Sequence, residues 1–152
     1  MRNITLRNLR LVGGGDGLNH YAVRAYLVEN MVVEGCHSSY FGDRHFQAER
    51  CLNVRFANSH AEHSDNATGL AYGWTVVNGC DNVSISACSA NDVRHAVSIG
   101  AENGVDRNVS VTGCTFNDCT DAAIDCHSQA QFVAITGNAC GNGSTTRDSA
   151  TT

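Results

Sequence analysis

Asn82-Val83-Ser84-Ile85 and Asn108-Val109-Ser110-Val111 are two copies of one pattern, and Asn3-Ile4-Thr5-Leu6, Asn30-Met31-Val32-Val33 and Asn53-Val54-Arg55-Phe56 are three more. Phe132-Val133-Ala134-Ile135 is a sixth copy without the Asn. Successive starts lie 27, 23, 29, 26 and 24 residues apart, a spacing that belongs to solenoid repeats. Within each copy the first and third positions after the Asn are apolar and the position between them varies, which is the period of two of a strand with one buried face. One short strand cannot bury that face alone. Stacking equivalent strands, coil on coil, builds a continuous core down an axis.

A second run of strand character follows in each coil: Tyr21–Tyr26, His45–Ala48, Tyr72–Val77, His95–Ile99 and Ala122–Cys126. Two strands per coil over nearly the whole chain resemble the right-handed parallel β-helices of the pectin-lyase-like kind, among them phage tailspikes, polysaccharide lyases and mannuronan C5-epimerases. The fold expected is therefore all-β, a right-handed parallel β-helix of about five to six coils over residues 1–140, rather than a Greek-key sandwich. Residues 141–152, GNGSTTRDSATT, read as a flexible tail or linker.

The repeated Asn has a structural explanation. Asn tolerates the left-handed backbone of a tight turn, and stacked Asn side chains can hydrogen-bond from rung to rung as an amide ladder. The glycosylation-like triplets Asn82-Val83-Ser84 and Asn108-Val109-Ser110 are then by-products of the ladder. The cysteines follow the same logic. Cys36, Cys88 and Cys114 each stand six residues after a repeat Asn, and Ser59 fills that slot in another coil. They are expected to be small buried thiols rather than a disulfide framework, although Cys88 and Cys114 on adjacent rungs lie within disulfide reach.

Composition fits this reading. The chain of 152 residues is 42% hydrophobic but only 7% aromatic, so a thin core is filled by Val, Ile, Ala and Cys. With 15 Gly and no Pro, turns fall to Gly, Asn and Asp. A net charge of −5 argues against nucleic acid, which needs a basic surface. No apolar stretch suits a membrane span or a signal peptide. The expected setting is synthesis in a reducing bacterial cytoplasm, and the tailspike resemblance implies action outside the cell or on a virion. Neither end carries a solenoid cap, so a homotrimer or a longer chain is expected to cover the ends. No cofactor or metal is expected: Cys and His show no zinc spacing, and calcium stays open with no motif to carry it.

Aligning the second strands on Val23, Phe46, Trp74, Val97 and Ile124 puts Arg24, Gln47, Thr75, Ser98 and Asp125 outward, followed two residues on by Tyr26, Glu49, Val77, Gly100 and His127. Asp125 and His127 share a strand face, and Asp43-Arg44-His45 resembles Asp92-Val93-Arg94-His95 two coils on. Glu49 lies three rungs from Asp125, roughly 14 Å at about 4.8 Å per rung, beyond the roughly 5–9.5 Å of paired glycosidase carboxylates. A nearer acid, Asp121 or Asp92, would have to serve. The segment Ala123-Ile124-Asp125-Cys126-His127-Ser128-Gln129 resembles the Asp-Pro-His segment of the epimerases, with Cys126 in place of Pro and Ala122 where they carry a Tyr. The resemblance implies carbohydrate chemistry of the lyase or hydrolase type on an acidic polysaccharide, ahead of epimerisation. Candidate catalytic residues are Asp125, His127, His95 and Arg94; candidate substrate-binding residues are Arg44, His45, Glu49, Tyr72 and Trp74. The alternative is a glycan-binding or fibre module without catalysis.

Overall fold

The computed structural model describes residues 1–15, 20–64, 70–141 and, as backbone, 144–148. The chain runs β1 (Arg2–Arg7), β2 (Arg10–Val12), β3 (Tyr21–Tyr26), β4 (Glu29–Glu34), β5 (His37–Ser39), β6 (Arg44–Glu49), β7 (Leu52–Ala57), β8 (His60–Glu62), β9 (Tyr72–Val77), β10 (Asp81–Ser86), β11 (Ser89–Val93), β12 (His95–Ile99), β13 (Asp106–Thr112), β14 (Thr115–Cys119), β15 (Ala122–Cys126), β16 (Ala130–Thr136), β17 (Ala139–Gly141) and β18 (Ser144–Asp148). Every third strand pairs in parallel. The result is three six-stranded sheets, β1-β4-β7-β10-β13-β16, β2-β5-β8-β11-β14-β17 and β3-β6-β9-β12-β15-β18. This is a parallel β-solenoid of about five turns. No helix long and apolar enough to cross a membrane occurs among the described residues.

The Asn copies form the first sheet. Asn3, Asn30, Asn53, Asn82 and Asn108 all have φ between 54° and 60°, and Phe132, in the slot without Asn, is held at 55°. The ladder runs upward, with Asn30 Nδ2 donating to Asn3 Oδ1 at 3.1 Å, Asn53 to Asn30 at 2.9 Å and Asn82 to Asn53 at 2.7 Å. Asn108 leaves the pattern and donates to Asp81 Oδ1 at 2.7 Å. Inward of the ladder, Met31, Val54, Val83 and Val109 form one buried row and Val33, Phe56, Ile85 and Val111 the next. Five residues after each Asn slot the chain turns left-handed again, at Asn8, Gly35, Asn58, Ala87, Gly113 and Gly137, which directs it into the second sheet.

The slot after that turn carries the small side chains. Ser59 Oγ donates to Ala57 O at 2.9 Å, and the thiols of Cys36, Cys88 and Cys114 reach the carbonyls of Glu34, Ser86 and Thr112 at 3.6, 3.4 and 3.5 Å. Each side chain adds a local hydrogen bond to a corner carbonyl that also accepts the backbone N–H of the neighbouring coil. A second small-residue stack, two residues before the Asn, consists of Val28, Cys51, Cys80 and Asp106. There Cys51 N donates to Cys80 Sγ at 3.3 Å, and Cys80 N and Gly79 N donate to Asp106 Oδ1 at 2.7 and 3.0 Å. Cys36, Cys51, Cys80, Cys88, Cys114 and Cys119 are buried free thiols.

The third sheet has the register read from the sequence, with Val23, Phe46, Trp74, Val97 and Ile124 in one row. Its outward face is not open. Gln47, Thr75 and Ser98 are as buried as the core, and the loop at 101–105 folds back toward β6 and β9. Glu102 accepts a hydrogen bond from Asn78 and lies 3.5 Å from Arg44. Any Cβ on Gly104 would fall 2.2 Å from the Asn78 backbone carbon, so only glycine lets the loop sit so close. At the far end β18 pairs with β15, which puts a strand inside the expected tail; residues 142–143 and 149–152 lie outside the described residues.

Candidate functional site

Four residues singled out in the sequence meet on the outer face of β12 and β15. His127 Nε2 lies 3.1 Å from Asp125 Oδ2, and His95 Nε2 lies 3.8 Å from the same oxygen. His95 Nε2 is also 3.7 Å from Asp121 Oδ2, to which Arg94 donates at 3.4 Å. One imidazole nitrogen thus stands between two carboxylates, which holds them below the roughly 9.5 Å upper limit of carboxylate pairs in glycoside hydrolysis. Asp121 is the nearer acid; Asp92 faces another side, where its Oδ2 lies 2.9 Å from His63 Nδ1.

Burial divides the cluster into a hidden and an accessible half. His95 is 2% exposed and Asp125 7%, whereas the side chains of His127 and Arg94 are 36% and 37% exposed. His95 Nδ1 donates to Ala122 O at 2.8 Å, which leaves the Nε2 lone pair facing the carboxylates. Burial lowers the His95 pKa, against the pull of those carboxylates. His95 is therefore a neutral spacer at neutral pH, and His127 is the more exposed imidazole of the two. The expectation that Asp125 is displayed to solvent is corrected: His127 screens it.

The substrate-binding candidates separate. Arg44, Glu49 and Tyr72 lie on the covered face. Arg44 donates to Tyr21 Oη at 3.0 Å and to Gln47 Oε1 at 3.2 Å, Gln47 donates to Glu49 at 3.2 Å, and Arg24 binds Glu49 at 2.6 Å. The hydrogen bond to Glu49 raises the Arg24 pKa, and burial works against it. Tyr72 is stacked on His95, with centroids 5.5 Å apart and planes 11° apart, and the Arg44 guanidinium lies 5.7 Å from its ring centroid. With both faces taken, Tyr72 offers its hydroxyl, 3.5 Å from Arg94, rather than a stacking platform.

Trp74 and His45 are corrected outright. Trp74 is fully buried and stacks on Phe46 with centroids 5.4 Å apart, because its row faces the core. His45 is also fully buried, with Nδ1 2.7 Å from Ser38 Oγ, and burial lowers its pKa to about 3. The two Arg-His motifs are out of register by one residue. Arg44 and His95 both pair with Tyr72 along the same row, so His45 turns inward where His95 turns outward.

The sequence reading placed Arg24 and Gln47 outward without assigning them to a site, and it missed Tyr21 and Asn78; these polar groups become neighbours through the coil geometry. It also missed a cluster on the second sheet, His37, His60 and Glu62, whose donor atoms all lie within 4.8 Å of one another. A signal for the last existed: His37 and His60 each stand seven residues after a repeat Asn. Comparisons with protein-family models, with curated proteins and with solved structures give no match. What the chain is, on fold and site geometry together, is a parallel β-solenoid with a His/Asp cluster on the outer face of its third sheet.

Proposed function

We propose that the chain acts on an acidic polysaccharide at the outer face of the third sheet, with His127 as the proton-transferring residue. The observation that carries this is the contact of His127 with Asp125, 3.1 Å, in which the carboxylate is nearly buried and the imidazole partly open. A buried carboxylate orients an imidazole, and imidazole is the side chain suited to acid–base work near neutrality. Arg94 stands beside the cluster as the group that would neutralise a uronate carboxylate. In the lyase form of the reaction, His127 takes the carbon-bound proton next to that carboxylate. The electron pair forms a carbon–carbon double bond, the glycosidic bond to the neighbouring carbon breaks, and a proton from the Tyr72 hydroxyl or water meets the leaving oxygen. The resemblance of the repeat to pectin-lyase-like helices supports the substrate class.

A second reading, a glycan-binding or fibre module, is favoured by the Arg24/Arg44/Glu49 network, whose charges already satisfy one another. One experiment separates the two. A panel of acidic glycans is assayed for the ultraviolet absorbance of unsaturated products and for new reducing ends; a lyase yields both signals, a hydrolase only the second, a binder neither. On a glycan that is turned over, His127→Ala and Asp125→Asn should each cost roughly 10²–10⁴ in rate, with the His127→Ala melting temperature little changed. Arg94→Ala should raise KM. Full activity in both His127→Ala and Asp125→Asn would remove the assignment.

A further inference from the structure

The second sheet carries a row that the carbohydrate site does not use. His37 on β5 and His60 on β8 are direct register partners, and Glu62, two residues beyond His60, points to the same side. His37 Nε2 lies 2.8 Å from Glu62 Oε1, and His60 Nε2 lies 3.3 Å from Glu62 Oε2. The imidazole planes stand at 84° with centroids 5.0 Å apart, so the rings do not stack and both Nε2 atoms converge on the carboxylate. All three residues are half-buried.

We propose that His37, His60 and Glu62 bind a divalent transition-metal ion, zinc foremost, and that the ion clamps the coil of β5 to the coil of β8. Two imidazoles and one carboxylate form a recognised zinc donor set that leaves a fourth position to water. Donor atoms of a tetrahedral ion at about 2.0–2.1 Å from the metal are themselves about 3.3 Å apart, which the His60–Glu62 distance already matches. The shell behind the donors is present as well. His60 Nδ1 is 2.7 Å from Ser89 Oγ, and a hydroxyl can accept from Nδ1 once Nε2 is taken by the metal, the usual way a ligating His is oriented.

The charge environment agrees. Glu62 contacts both imidazoles and is the anionic donor of the set. Both imidazoles can give a lone pair to one cation. His63 Nε2 lies 4.0 Å from Glu62 and is itself held by Asp92 and stacked on Tyr40. Arg10 is the register partner of His37 in the preceding coil, and its side chain is exposed. The site lies on a different sheet from the His127 cluster, so it stands or falls independently of the proposed activity.

The test uses the full chain, stripped with a chelator and dialysed, then titrated with zinc by calorimetry and with cobalt by visible absorption. Wild type should take up one zinc per chain, its melting temperature should rise with zinc concentration, and cobalt should give ligand-field bands of a nitrogen and oxygen site. His60→Ala and Glu62→Gln should each weaken zinc binding at least about tenfold, and Ser89→Ala should weaken it by roughly 10–100-fold if the outer partner matters as it does elsewhere. His20→Ala should bind as wild type does. The proposal is overturned if wild type takes up no more zinc than a His37→Ala/His60→Ala double variant, or if His60→Ala and Glu62→Gln both bind like wild type. A cobalt charge-transfer band of the thiolate kind would also overturn it, by putting the ion on cysteine.

Discussion

Asn53 stands mid-ladder, donating to Asn30 and accepting from Asn82, on a backbone with φ of 56°. Its replacement by Ala removes both bonds and keeps the left-handed strain, at about 1–2 kcal/mol for the backbone and about 0.5–1.5 kcal/mol per hydrogen bond. Asn53→Gly removes the bonds but relieves the strain, so urea unfolding should rank wild type above Gly and Gly above Ala. Phe132 tests the same physics in reverse: it holds φ of 55° with 78% of its surface exposed, so Phe132→Asn should stabilise the fold by about 1 kcal/mol. A destabilised Phe132→Asn would show that the ring has a packing role. His45 makes a pH prediction. Its folded pKa of about 3 lies below the unfolded value of 6.5, so the unfolded chain binds the extra proton and stability falls as pH drops below about 6.5, levelling off near pH 3. The loss from this group is about 1 kcal/mol by pH 5.5 and about 3 kcal/mol by pH 4.5. A His45→Gln variant should show a correspondingly flatter stability curve between pH 7 and 4.5; an unchanged slope would mean that other groups carry it.

At the scale of the element, each coil is three short strands joined at left-handed corners, and the corners decide which small residues recur. Cys and Ser alternate in one slot because either can donate to the carbonyl two residues back while filling little volume. Hydrogen bonding to Cys51 and burial push the Cys80 thiol up, hydrogen bonding to Cys114 and burial do the same for Cys88, and burial pushes Cys119 up to about 11. These thiols are therefore protonated and inert. Native protein should react slowly with a thiol reagent at the six buried cysteines, and unfolding without reductant should release close to all eight. A release of four or fewer would establish disulfides between rungs. The second sheet escaped the sequence reading because its strands are as short as His37–Ser39 and His60–Glu62, too short for a period of two to register.

For the whole molecule, stability is a sum over neighbouring coils rather than a property of one closed core. Strands of central coils are hydrogen-bonded along both edges, whereas β1, β2 and β3 are bonded on one side only. Amide hydrogen exchange should be slowest in β7, β9, β10 and β12 and fastest in β1 and β2; uniform protection would mean that the coils open all together. The covering loop at 101–105 adds a term of its own, since it ties Asn78 and Arg44 of earlier coils to Glu102.

The sequence by itself determined the architecture. A repeat of Asn followed by alternating apolar residues has no other way to bury its faces than by stacking, and the slot arithmetic then assigns Val23, Phe46, Trp74, Val97 and Ile124 to one row. It also put Asp125 and His127 on one face, because residues two apart on a strand share a side. Only the tertiary structure decided which of those side chains reach solvent. A loop inserted after β12 reaches back to Asn78 and Arg44, a one-residue shift sends His45 inward and His95 outward, and the coil pitch converges His37, His60 and Glu62. Alternation states which face a residue takes. What lies over that face depends on chain segments whose paths are set by packing between coils, and no local pattern encodes that.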